Sequence, residues 1–186
     1  MNTKIIAGAI TFAALTIVLN LSPLKFPAPY APFLIYQIWE IPIVAGFLLY
    51  GATFGVSIAL MNTAILLAVF PGDLPTGPFY NLAAVLSMLL GTGIVKFIAE
   101  RRSAKDRVLL ASAFTFSGLT LRTIIMGIVN WALLRFPPPV GYSLPEPIII
   151  AYIPLVMIFN ATLALYTIPT GYSLARIVKS TVRSFK

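Results

Sequence analysis

Six long apolar runs, set apart by short stretches rich in proline, glycine or charge, organise the chain: residues 5–21, 33–50, 56–70, 79–98, 108–136 and 148–178. An apolar helix of about 20 residues crosses the hydrocarbon core of a bilayer. The pattern therefore predicts an all-α membrane protein, with 1–186 forming one domain, a six-helix transmembrane bundle. The breaks differ in chemistry. Pro23, Pro27, Pro29 and Pro32 lie too close together for a regular helix, because proline removes a backbone donor and restricts the residue before it. Gly51 and Gly55 mark a tight turn, 71–78 reads as a loop, and Pro137-Pro138-Pro139 and Pro145-Glu146-Pro147 bracket another. Glu40 and Pro42 interrupt the second run, and the last run is long enough to tilt or to project past the bilayer. A signal-peptide reading of the first run is disfavoured, since the run is long for such a core and no clear small-x-small cleavage site closes it.

Charge orients the bundle. Lys96, Arg101, Arg102, Lys105 and Arg107 cluster between the fourth and fifth runs, offset only by Glu100 and Asp106. Arg176, Lys179, Arg183 and Lys186 form a second cluster in the tail, with no acid. Short loops rich in Lys and Arg stay cytoplasmic, so the middle basic loop and the C-terminus are expected inside. Six spans then put the N-terminus inside too, in agreement with Lys4. The outer stretches, 23–32, 71–78 and 137–147 with Arg135 at the rim, set Lys25 and Arg135 against Asp73 and Glu146 and sum to zero.

Composition narrows the function. The chain is 59% hydrophobic and 10% charged, against about 25% charged in soluble domains. Nine of the 13 basic residues behind the net charge of +8 fall in the two clusters, where the membrane accounts for them without nucleic-acid binding. The chain has no cysteine and no histidine and only five acids, which leaves few candidates for metal binding or general acid–base catalysis. Gly91-Thr92-Gly93 followed by Lys96 lacks the phosphate-loop spacing and lies inside a run.

Polar residues inside the runs are the site candidates. Arg122 lies about 20 Å along the fifth run, near or just past the bilayer centre. An intramembrane charge there marks either a function or a structural ion pair, with Glu40 as the natural partner. Glu40, in the outer half of the second run, is a candidate to bind a ligand or to pair with Arg122. Asn81, Asn130 and Asn160 lie between the outer rim and the middle of runs four to six. One asparagine is usually glue between helices, but three suggest a polar pocket opening outward; Asn62 reads as glue. Tyr36 and Trp39 belong to an aromatic group at the outer entrance, readable as an interface belt or as part of a lid over a planar ligand. Ala9 and Ala13 form a small-xxx-small pair that permits close helix approach.

The order of these features resembles the substrate-binding S component of an energy-coupling factor (ECF) vitamin transporter, over nearly the whole chain. The resemblance rests on Ala9-x-x-x-Ala13, the Pro-rich outer lid, and Ile41-Pro42 with Ala45-Gly46-Phe47-Leu48-Leu49-Tyr50-Gly51. It continues through Gly77-x-x-x-Asn81, the basic inner loop, Asn130, and Ile153-Pro154 with Asn160. The chain is most similar to the riboflavin-specific branch, where the equivalents of Asn81, Asn130 and Asn160 fall at or near the vitamin. It departs from that branch at Leu163, where a lysine is usual, and at Arg122. The resemblance implies a multi-pass subunit of the plasma membrane, in contact with lipid, that binds a vitamin from outside without hydrolysing ATP. A transmembrane T component would dock on the Ala9/Ala13 face, two ATPases would drive it, and no cofactor beyond the transported vitamin is implied. The alternatives are a stand-alone carrier or channel lined by Arg122 and Glu40, a structural subunit, or a lipid-modifying enzyme, for which the chain has almost no interfacial carboxylate or histidine.

Overall fold

A computed structural model describes residues 3–69, 74–102 and 106–181. Residues 70–73, which include Asp73, and Lys105, Arg183 and Lys186, used in the reading above, lie outside the described residues, as does the side chain of Lys4. The described chain folds as α1 (Thr3–Leu21), β1 (Phe26–Ala28), β2 (Ala31–Tyr36), α2 (Glu40–Tyr50), α3 (Ala52–Val69), α4 (Gly77–Arg101), α5 (Arg107–Leu133) and α6 (Glu146–Thr181). The elements α3, α4, α5 and α6 are long and apolar enough to cross a bilayer, and two shorter apolar helices, Ile6–Leu21 and Glu40–Tyr50, join them. The chain is a multi-pass membrane protein built mainly of helix.

The second run departs from expectation. Its first residues are not helical: Ala31–Tyr36 is a strand, paired antiparallel with Phe26–Ala28 in a two-stranded sheet, and α2 starts only at Glu40. The register pairs Phe26 with Tyr36 and Pro27 with Ile35, and slips between Pro27 and Ala28. Proline can donate no ladder hydrogen bond and is tolerated at sheet edges, so this short Pro-rich ribbon stays two strands wide. Aromatic side chains seat it on α6: Phe33 stacks on Tyr152 at 5.2 Å and Tyr36 on Phe159 at 4.8 Å. The hydroxyl of Tyr30, in the turn, lies 2.5 Å from that of Tyr36, at the end of β2. Burial and this neighbouring phenol push Tyr30 up to about 12.

Local chemistry sets the helix ends. Asp106 caps α5, accepting from the backbone N–H groups of Val108 (2.9 Å) and Leu109 (3.0 Å), which satisfies donors that a helix N-terminus leaves open. Pro78 occupies the first turn of α4, where its missing N–H costs nothing. Gly51 joins α2 to α3 at φ 102°, a conformation that glycine reaches without a Cβ clash. Lys96 of α4 donates to the Phe47 and Leu48 carbonyls, both at 3.1 Å, placing a cation at the negative end of the short α2. The core gathers Trp39, Ile43, Val44, Phe47, Met88 and Ile168 between the helices. Large apolar side chains such as Phe116, Val18 and Leu165 remain exposed on the outer flanks, as a lipid-facing bundle allows.

Candidate functional site

The end of the bundle that carries the hairpin holds a cavity of about 700 Å³. The strand β2 and the helices α1, α3, α4, α5 and α6 contribute to it at that end. The hairpin and the segment after it supply Phe33, Leu34, Ile35 and Gln37; α4 supplies Tyr80 and Asn81; α5 supplies Asn130; α6 supplies Tyr152, Val156 and Phe159. Asn20 at the end of α1 and Leu66 near the end of α3 close the far side, and Lys25 stands among the lining residues. The loop after α5 contributes Tyr142 and Leu144 and is fastened to α4, because the Tyr80 hydroxyl donates to the Val140 carbonyl at 2.7 Å and Thr76 donates to the Pro139 carbonyl. A mostly apolar, aromatic-walled hollow with a few amides inside it has the size and character of a small-molecule site.

Beneath the cavity lies a smaller recess of about 130 Å³, which shares Gln37, Asn81 and Asn130 and adds Trp39, Glu40, Arg122, Asn160 and Leu163. Its charges are spent on each other. Arg122 grips Glu40 in a two-pronged ion pair, with Nη1 on one carboxylate oxygen and Nη2 on the other at 2.9 Å. Arg122 Nε donates to the Asn160 amide oxygen at 2.9 Å, and Asn160 Nδ2 donates to the Val156 carbonyl at 2.9 Å. All three residues are buried. Planar, bidentate guanidinium–carboxylate pairing is the geometry in which a buried ion pair recovers most of its desolvation cost. Glu40 also begins α2, where the helix dipole favours an acid.

The candidates from sequence therefore separate. Asn81 and Asn130 lie on the cavity wall, Asn81 open to it and Asn130 half-buried with one N–H on the Met126 carbonyl at 2.8 Å. Glu40, Arg122 and Asn160 come together as a closed network below it, realising the ion-pair alternative for Arg122. Trp39, 4% exposed, lines the recess only. Tyr36 lies off the wall of either hollow, packed on Phe159 with its hydroxyl against Tyr30. Asn62 accepts from Asn20 Nδ2 at 3.0 Å and joins α3 to α1, the role expected of glue. Ala13 is buried in the chain's own core and Ala9 is half-buried. Their pair is not an open face: Phe12, Ala13, Thr16 and Asn20 turn into the bundle because the short α2 and the amide of Asn62 pack there. Among the described side chains of α1 the exposed small residues are Ala7, Thr11 and Ala14.

Sequence reasoning missed Gln37, Asn20, Tyr142, Tyr152 and Phe159 as lining residues. Gln37 falls in the break between strand and helix, where no periodicity singles it out. Asn20 was hidden as the last polar residue of an apolar run, next to the Pro-rich segment.

No family model matches this chain, and no curated protein matches it. Among solved structures it is similar to one described as the S component of a bacterial ECF transporter, with a TM-score of 0.76 and 20% sequence identity over 98% of this chain and 99% of that one. The two share a fold along their whole length.

Proposed function

We propose that this chain is the substrate-binding subunit of an ECF-type importer in the plasma membrane, and that it binds a vitamin, riboflavin in the first place. The observation that carries the reading is the cavity of about 700 Å³, walled by aromatic rings and amides, at one end of a bundle that shares its fold with an S component. Asn81 and Asn130 contact the ligand directly, and Glu40, Arg122 and Asn160, with Trp39, hold the floor beneath it. The hairpin is the lid. The basic end faces the cytoplasm, all six helices cross the membrane, and both termini lie inside. A transmembrane T component and two ATPases supply the work, and α1 meets the T component on the flank of Ala7, Thr11 and Ala14, since Ala13 packs inside.

The test is chemical. Protein purified from its native membrane, or from cells grown with riboflavin, should yield a flavin by absorbance and mass spectrometry, and should bind added riboflavin in a calorimetric titration. No extracted flavin and no heat on titration would sink riboflavin as the substrate. Failure to co-purify with an ATPase pair from the native membrane would sink the importer reading. A single cysteine at Ser180, in a chain that otherwise has none, should label only from the cytoplasmic side; labelling in intact cells from outside inverts the orientation.

A further inference from the structure

One buried polar atom in the wall of both hollows has no partner among the described residues. The Gln37 amide oxygen is buried and accepts no hydrogen bond from any described residue. The backbone around it is fixed, since the Tyr166 hydroxyl of α6 donates to the Gln37 carbonyl at 2.6 Å. Buried amide oxygens are almost always paired in native proteins. Arg122 is spent on Glu40, Asn160 and Met88, and Asn160 and Asn130 each give one N–H to a carbonyl of their own helix, Val156 and Met126; Asn81, whose amide is open to the cavity, makes no bond to the Gln37 oxygen either. Two other buried oxygens, Thr123 Oγ1 and Thr167 Oγ1, are also without partners, but they lie outside both hollows. A threonine hydroxyl in a helix can also turn onto the carbonyl four residues before it, as Thr115 does at 2.7 Å. An amide oxygen has no such option.

Charge sets the second condition. Glu40 and Arg122 neutralise each other at the floor, so the inner end of the cavity offers no net charge to a ligand ion. An anionic or cationic group there would lose its hydration without gaining a counter-charge.

We propose that the Gln37 amide oxygen accepts a hydrogen bond from an uncharged N–H edge of the molecule that fills the cavity, so that the inner end selects a neutral ring of lactam or imide type; the inference rests on the substrate-binding reading above. Gln37 is then a specificity-determining contact, placed by Tyr166 and delivered by the junction between lid and α2. A ring that carries a carbonyl beside its N–H would also use the donors of the same amide.

Binding is measured by calorimetry on the full chain in detergent, for the parent and for Gln37→Met. The probes are riboflavin and N3-methylriboflavin, in which a methyl group replaces the imide hydrogen. The parent should prefer riboflavin by about tenfold or more, and Gln37→Met should lose about tenfold in riboflavin affinity together with that preference. Without ligand, Gln37→Met should unfold at the same temperature as the parent or slightly higher, because an unpaired buried acceptor has been removed; a merely structural glutamine would lower it. The comparison of the two probes on the parent needs no variant, and equal binding of both overturns the proposal. So does a Gln37→Met chain that keeps the parent's preference or unfolds earlier while binding normally. If the parent takes neither probe, the flavin reading fails instead, and Gln37 is judged on the compound extracted from the purified protein. A neutral ring with an N–H donor, recovered in lower yield from Gln37→Met, sustains the proposal; a compound lacking that donor, an unchanged yield or no compound overturns it.

Discussion

The two ends of the bundle solve opposite problems with the same helices. At the hairpin end the helices stand apart around a cavity of about 700 Å³, and polar side chains line the gap. Toward the basic end they close until backbone meets backbone. A Cβ added at Gly91 of α4 would lie 2.4 Å from the Ser117 carbonyl oxygen of α5, and one added at Gly118 would lie 2.5 Å from Ile168 of α6. The Ser117 hydroxyl donates to the Gly91 carbonyl at 2.9 Å across the same contact. Without a hydrophobic drive between helices in lipid, close approach and interhelical hydrogen bonds hold a bundle together. The tight end supplies both, which lets the other end stay open. Between them sits the Glu40–Arg122–Asn160 network, the floor of the cavity and the roof of the packed half.

The largest effect is expected at that boundary. Arg122→Ala or Glu40→Ala leaves one buried charge without its partner, and breaking such a pair costs about 3–5 kcal/mol. The single variants should unfold well below the parent in a detergent melt. The double variant Glu40→Leu with Arg122→Met removes both charges and should return close to the parent. If either single variant melts with the parent, the pair does not hold the two halves together.

How much of this division was visible in the sequence follows from what hydropathy can and cannot encode. The helices were legible because five of them begin and end within a few residues of their apolar runs. The hairpin was half legible: the prolines ruled out a helix through residue 32, but Phe33, Leu34, Ile35 and Tyr36 are as apolar in a strand as in a span. Asn81 and Asn130 could be found because an amide inside an apolar run needs a partner or a cavity. Arg122 and Glu40 were equally conspicuous, yet conspicuousness alone could not show that they pair; the two-pronged geometry does. Gln37 could not be found, because its distinction is a hydrogen bond it lacks. Ala9 and Ala13 mark a different limit: the spacing of small residues is legible in the sequence, but how far each is buried within the chain's own bundle depends on how the helices pack.

A paired substitution at glycine measures the contrast between the ends. Gly91→Ala should destabilise by about 1–3 kcal/mol, the usual range for overpacking, because the obstructing atoms belong to the α5 backbone and cannot rotate away. Gly77→Ala, at the mouth of the cavity, adds a Cβ with nothing within 4 Å. Its stability should stay within about 0.5 kcal/mol of the parent. Both are read from unfolding midpoints in one detergent. Equal effects at the two sites would mean that the ends are packed alike.

The smallest effect on stability, and the sharpest separation of binding from folding, is expected at Asn81. Its side chain is exposed on the cavity wall, and it makes no side-chain hydrogen bond with another described residue, so Asn81→Ala removes nothing that holds the helices. The melt should shift by no more than about 0.5 kcal/mol. A ligand that fills the cavity would lose one polar contact, and riboflavin affinity should fall about tenfold or more. Asn160→Ala is the control from the floor itself. It deprives Arg122 Nε of its acceptor, so it should lower the melting temperature and weaken binding together. A chain in which Asn81→Ala melts early, or in which both variants change stability and affinity in the same ratio, would show that the open end is not free of structural duty and that cavity and scaffold are one network.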